Sequence, residues 1–227
     1  DSSFVAEARK NGIPIAMWAA LFAQFAREAG AKIIGVTGTR GKTTVTAMIV
    51  AILRVAGKDV VEGGNVQGTS VLSQLAVVSA KTTAVLELDS WKLQGFGEAK
   101  MSPHIAVFTT LYQDHLNYYK NDLDAYLADK ANIFLYQKSD DTLILGKQCA
   151  PTIIDRYGEQ IESATLVVDE TKLPDTWTLC IPGMHNRYNA ALALAAARAL
   201  TIPDEASRRA LEAVKGVPGR LELIREV

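Results

Sequence analysis

The stretch Gly35-Val36-Thr37-Gly38-Thr39-Arg40-Gly41-Lys42-Thr43-Thr44 constrains this chain more than any other. An apolar run, Lys32 to Val36, precedes it, and an apolar helical pattern, Lys42 to Ala56, follows. Strand, glycine-rich turn and helix in that order are what a phosphate-binding loop needs. Glycines let backbone N–H groups turn inward around phosphate oxygens, and the helix start adds partial positive charge. In such a loop Lys42 neutralises the β and γ phosphates, and the Thr43 hydroxyl reaches Mg²⁺. The strict pattern wants glycine six residues before the lysine, where this chain has Val36, so the loop is a variant. The competing reading is a tight strand–helix turn that merely contains Gly-Lys-Thr.

Beyond the loop, strand and helix patterns alternate. Strands are expected at 59–62 (ending in Gly63-Gly64-Asn65), 83–88 and 104–110, with helices at 70–78 and 122–137, the latter capped by Asp122 or Asn121. This alternation predicts an α/β fold of the P-loop, Rossmann-like kind, with a mostly parallel sheet flanked by helices. Apolar runs at 142–145, 165–168 and 178–181 suggest a small additional sheet, and helices follow at 186–200 and 204–214. Residues 3–11 and 15–29 read as two helices, the second with an apolar face of Trp18, Leu21, Phe22 and Phe25.

Composition excludes more than it selects. A net charge of -1 without any basic block gives nucleic acid and anionic membranes nothing to hold. No apolar run is long enough to span a bilayer. Cys149 and Cys180 lack partners at metal spacing and read as free, buried thiols of a reducing cytoplasm.

Ligands of open parallel sheets sit beyond the carboxyl ends of the strands. Asn65, Glu87 and the Asp114-His115 pair fall at such ends, together with Lys42. Glu87 lies between Leu86 and Leu88; a buried carboxylate is costly unless paired or bound to metal, so it is either a stray edge charge or a Mg²⁺ ligand. Asn65 serves either its glycine turn or a ligand, and His115 either a structural hydrogen bond or chemistry. Lys130 falls on the apolar face with Leu123, Tyr126, Leu127 and Phe134. There it either snorkels out or stays buried with a lowered pKa, which favours carbamate formation with carbon dioxide.

Six segments in order resemble the Mur ligase family. Thr37 to Thr44 is similar to its Thr-Gly-Thr-Asn-Gly-Lys-Thr-Thr loop, Gly63-Gly64-Asn65 to its Gly-Gly-Asn turn, and Leu86-Glu87-Leu88-Asp89-Ser90-Trp91 to its Glu-Leu-Ser-Ser-Phe segment. Asp114-His115-Leu116 with Lys130-Ala131-Asn132-Ile133-Phe134 resembles its Asp-His-Leu…Lys-Ala-x-Ile-Phe signature. Gly183 to Ala190 matches Gly-x-His-Asn-x-x-Asn-Ala, and Val217-Pro218-Gly219-Arg220 resembles Leu-Pro-His-Arg. The third segment is most similar to that of D-glutamate-adding members.

The resemblance implies an ATP-dependent ligase that forms an amide bond in peptidoglycan precursor synthesis. It implies that Gly38, Thr39, Gly41, Lys42, Thr43 and Thr44 hold ATP phosphates, with Asn65 at the γ-phosphate, Asn189 at the adenine side and Arg220 at the phosphates. Thr43 and Glu87 would serve one Mg²⁺, His115 and a carbamylated Lys130 a second, and Lys42, His115 and Lys130 would be catalytic. The implied substrates are a UDP-linked muramoyl precursor and an amino acid, taken by a cytoplasmic monomer. Residues 1–30 would be the tail of an N-terminal domain and linker, 31–219 the central ATP-binding domain, and 220–227 the start of a C-terminal domain. Arg40, Asp89, Lys92 and Gly219 depart from the family pattern and leave the substrate open. A folylpolyglutamate synthetase and a P-loop module without ligase chemistry are the alternatives.

Overall fold

A computed structural model describes residues 2–64, 71–114 and 118–216. Six strands form one wholly parallel sheet: β1 (Lys32–Thr37), β2 (Asp59–Gly63), β3 (Thr82–Glu87), β4 (Ile105–Phe108), β5 (Thr142–Gly146) and β6 (Ala164–Val168), in the order β2-β3-β1-β4-β5-β6. The helices are α1 (Ser3–Lys10), α2 (Trp18–Glu28), α3 (Lys42–Val55), α4 (Ser90–Glu98), α5 (Leu123–Ala131), α6 (Ala150–Tyr157), α7 (Met184–Ala199) and α8 (Asp204–Ala213). Parallel strands need crossover helices, which here cover both faces of the central strands β1, β3, β4 and β5, while the edge strand β6 is mostly exposed. One face packs on Phe22 of α2, Phe96 of α4, Tyr126 of α5 and Ile153 of α6. The other packs on Met48 and Ile52 of α3, Leu192 and Leu194 of α7, and Leu211 of α8. The fold class is the one expected.

The additional sheet is not: the runs at 142–145 and 165–168 become β5 and β6 and extend the main sheet, with Leu145 opposite Val167. The run at 178–181 forms no strand. The Arg187 guanidinium holds the preceding turn by the carbonyls of Leu173, Pro174 and Trp177, and the Thr178 N–H donates to the Glu212 side chain rather than to a neighbouring strand. Cys180, on that stretch, is exposed, whereas Cys149 is buried.

Other departures have local causes. The helix expected at 122–137 is α-helical only to Ala131, because Ser102 Oγ donates to the Asn132 carbonyl and accepts from the Tyr136 N–H, unwinding the last turn. Asp122 is its cap, accepting from the N–H groups of Asp124 and Ala125. Residues 71–77 form a 3₁₀ turn. In α2 the buried face is Ala19, Phe22, Ala23 and Ala26, while Trp18 and Phe25 stand outward; small residues let this helix lie close on the sheet core. Two helices escaped the sequence pattern. In α4, Gly95 lies where Met17 packs, and in α6 a proline sits in the first turn.

These elements place the site. The connection after β1 leaves to the face of α3, and that after β4 to the face of α5. Adjacent strands whose connections part to opposite faces open a crevice at their carboxyl ends, the usual ligand position in such sheets.

Candidate active site

The loop of residues 38–41 occupies that crevice. Gly41 is left-handed (φ 88°) and precedes α3 without any side-chain cap, so the first N–H groups of the helix keep the donors that an anion can take. A Cβ on Gly38 (φ 137°) would meet Thr109 Oγ1 at 2.0 Å, and one on Gly41 would meet Asn189 Oδ1 at 2.7 Å. Only glycine fits both close approaches, and the second brings Asn189 of α7 against the loop. Thr39 is buried, its hydroxyl donating to the Tyr112 carbonyl (3.2 Å) and accepting from the Tyr112 N–H (2.9 Å). Thr43 and Thr44 lie half-buried in the first turn of α3.

Two lysines converge on one carbonyl. Lys42 Nζ donates to Gly38 O at 3.1 Å and to Thr39 O at 3.2 Å. Lys130, only 1% exposed, donates to Gly38 O at 3.0 Å and to Thr37 Oγ1 at 3.2 Å, with its ammonium 4.8 Å from the centre of the Tyr126 ring. Burial, and then the charge of Lys42, lower the Lys130 pKa from 10.5 to about 7, against the pull of Asp89, Asp114 and Asp129. Lys130 therefore does not snorkel; it lies at the end of β1 as a half-neutral amine near neutral pH.

Glu87 ends β3 opposite Val36 of β1 and is 4% exposed. Two residues on, Asp89 caps α4, accepting from the Lys92 N–H (2.9 Å) and from Lys92 Nζ (2.8 Å). Burial pushes the Asp89 carboxyl up, but the Lys92 contacts outweigh it and hold the group below its usual range. Lys92 is itself buried, with its ammonium 5.6 Å from the Trp18 ring. The two residues that depart from the family pattern here thus form one ion pair.

Arg40, Gly41, Tyr112, Glu170, Tyr188 and Asn189 help line a cavity of about 510 Å³ beside the loop. Tyr188 donates to the Thr109 carbonyl at 2.8 Å, and burial raises its pKa. Sequence reasoning missed Thr109, Thr110, Tyr112, Glu170 and Tyr188. The first two carried the same signal as Glu87, polar residues directly after an apolar strand; the others come from loops and a helix with no such mark. Asn65, His115 and Arg220 lie outside the described residues. The structure brings Gly38, Thr39, Gly41, Lys42, Lys130 and Asn189 together, with Thr43 and Thr44 in the helix turn that follows the loop.

Mg²⁺ prefers hard oxygen donors, and the Thr43 hydroxyl in the first turn of α3 and the Glu87 carboxylate at the end of β3 are of that kind. Among the described residues no group of three or more His, Cys, Asp or Glu is placed to hold a metal by itself, so such an ion would complete its shell with water and phosphate oxygens.

Residues 36–178 match the model of the Mur ligase middle domain. The chain belongs to the Mur ligase family. A UDP-N-acetylmuramoylalanine--D-glutamate ligase of Roseiflexus sp. (strain RS-1) is 33% identical over 256 residues, covering 100% of this chain and 54% of that protein. The chain thus spans about half the length of the curated Mur ligases it matches. MurF from Acinetobacter baumannii shares the fold, with a TM-score of 0.70 at 20% identity over 92% of this chain and 52% of that one. FolC of E. coli, solved with DHPP and ADP, gives a TM-score of 0.65 at 19% identity over 93% of this chain and 64% of its own. No helix among the described residues is long and apolar enough to cross a membrane.

Proposed function

We propose that residues 31–219 are the ATP-handling unit of a ligase that joins UDP-N-acetylmuramoyl-L-alanine to D-glutamate. The observation that carries this reading is the pair of lysines, Lys42 and Lys130, gathered on the Gly38 carbonyl beside an uncapped helix start. The 33% identity to a D-glutamate ligase supports this choice of substrates. In the reaction a substrate carboxylate attacks the γ-phosphate of ATP, breaking the bond to ADP and forming an acyl phosphate. The amine of the amino acid adds to the acyl carbon, and the tetrahedral intermediate expels phosphate.

The chain contributes position and charge. Amide groups of the loop and Lys42 orient the triphosphate and offset the charge of the transferring group. Asn189 sits on the nucleotide side. Thr43 and Glu87 would hold one Mg²⁺, and His115 with Lys130 a second; the ions supply charge neutralisation at phosphate oxygens. The lowered pKa of Lys130 leaves a neutral amine fraction that can take up carbon dioxide as a carbamate, turning a cation into a metal-binding anion. Asn65 and Arg220 complete the phosphate contacts. The enzyme works on small molecules as a cytoplasmic monomer, with neither nucleic acid nor membrane as partner.

A second reading, ligation of glutamate to a folate, is favoured by the FolC likeness and by the Asp89–Lys92 pair that departs from D-glutamate-adding members. Phosphate release decides between them, measured on a protein of the relatives' full length. Release that depends on UDP-N-acetylmuramoyl-L-alanine and D-glutamate supports the first; release only with a folate and L-glutamate replaces it. Nucleotide hydrolysis that needs neither pair of substrates, and neither His115 nor Lys130, marks a P-loop module without ligase chemistry.

A further inference from the structure

The soft joint of the phosphate loop is the peptide between Arg40 and Gly41. A peptide flip there changes ψ of Arg40 and φ of Gly41, and glycine accepts either sign of φ, so the backbone itself resists little. The orientation matters to an anion. In a trans peptide the carbonyl and N–H point to opposite sides, so a flip would exchange an N–H donor for a carbonyl oxygen on the side that faces the ligand.

Two threonines at the end of β4 hold this joint. Thr109 Oγ1 donates to Arg40 O at 2.5 Å and to Thr37 O at 3.1 Å. Thr110 Oγ1 donates to the same Arg40 carbonyl at 3.2 Å and accepts from the Arg40 N–H at 3.0 Å, while its own carbonyl accepts from the Thr39 N–H at 2.7 Å. One hydroxyl thus bridges both polar ends of Arg40. Thr109 is fully buried and tied to the β1 carbonyl as well, whereas Thr110 is half-buried and lines the cavity. The Arg40 side chain, exposed, lines the same cavity.

We propose that Thr110 is a positioning residue for nucleotide binding: by holding the Arg40 carbonyl of that joint and the Arg40 N–H of the peptide before it, it keeps the loop in its anion-accepting conformation and Arg40 at the mouth of the cavity. The role rests on the nucleotide reading above. It acts before the ligand arrives, by sparing the ligand the cost of ordering the loop.

The test is calorimetric titration of the 227-residue chain with Mg·ADP, comparing wild type, Thr110→Val and Thr110→Ser. Valine keeps the shape and removes both hydrogen bonds; serine keeps the hydroxyl. The expected result is a Kd raised about tenfold in the valine variant, the size of two modest hydrogen bonds, and within about twofold of wild type in the serine variant. The unfolding midpoint should stay close to wild type in both, because the lost groups regain water at this half-open position. Unchanged affinity in Thr110→Val overturns the assignment. So does a loss that serine fails to restore, or one that follows a fall in the midpoint. Absence of binding by the wild-type chain would instead overturn the nucleotide reading, and this role with it.

Discussion

The two ends of the sheet use buried polar groups in opposite ways. At the amino end these groups are spent mainly on backbone. His104 Nδ1 accepts from the Ile33 N–H at 3.0 Å, Gln137 donates to the carbonyls of Pro103 (2.9 Å) and Thr142 (3.0 Å), and Arg27 donates to Ser102 O at 3.0 Å. Only Arg27 Nε lacks a partner there among the described residues. At the carboxyl end like charges are crowded instead: Lys42 and Lys130 share one carbonyl, and the helix behind them starts without a cap. Satisfied polar groups fix a fold; a lysine whose pKa is lowered by burial, and then by a neighbouring cation, costs stability and marks a place kept for chemistry.

The strongest way to break this contrast is to remove one cation at each end. Lys42→Ala should lower ATP turnover by about a thousandfold or more in a protein of the relatives' full length, since positioning and charge carry most of a phosphoryl transfer. Arg27→Met, at the amino end, should leave turnover within about threefold. Coupled phosphate-release assays measure both. Near-normal turnover in Lys42→Ala would remove the functional meaning of the crowded end.

A smaller effect tests whether Lys130 is held against its own preference. Its folded pKa, about 7, lies below the unfolded 10.5. The unfolded chain therefore binds the extra proton first, and this lysine subtracts most from stability below pH 7, with the penalty fading as pH rises toward 10.5. Lys130→Met should accordingly stabilise the chain at pH 6, by about 2–3 kcal/mol once its lost hydrogen bonds are offset, and progressively less toward pH 10. Denaturant midpoints across that range read the difference. A variant destabilised equally at every pH would mean that the buried ammonium is well solvated by its neighbours.

How much of this was legible follows from the same contrast. The loop, its helix and the strand end at Glu87 lie where local pattern changes abruptly, so sequence exposes them; Thr110 ends its strand in the same way and was passed over. Lys130 stood out because a charge interrupts an apolar stripe. The amino-end network was invisible: His104 and Gln137 meet backbone groups supplied by distant strands and turns, and nothing in their own surroundings announces it. Sheet membership of β5 and β6 was hidden for a similar reason, since short apolar strands fit a second sheet as well as the edge of the first. The helix α4 was masked by Gly95 and Gly97, which weaken a helical pattern even where packing demands one of them.

The least of these effects belongs to the amino end. Burial first, then Arg27 and Lys32, lower the His104 pKa from 6.5 to about 4, with Asp140 pulling the other way. In the neutral ring Nδ1 accepts the Ile33 N–H, a contact that a proton on that nitrogen would remove. Here the unfolded chain takes its proton at the higher pH, so stability is intact above 6.5, falls as pH drops from 6.5 through 4, and is flat in this respect below. The loss should be about 2 kcal/mol after allowance for partial solvent screening. His104→Asn keeps an acceptor and removes the titration, so its denaturation profile should flatten between pH 6.5 and 4 while Mg·ADP affinity at pH 7.5 stays as in wild type. An unchanged acid profile would show that the imidazole gives up the Ile33 contact and protonates freely, and the amino end would then be no more committed to structure than the carboxyl end.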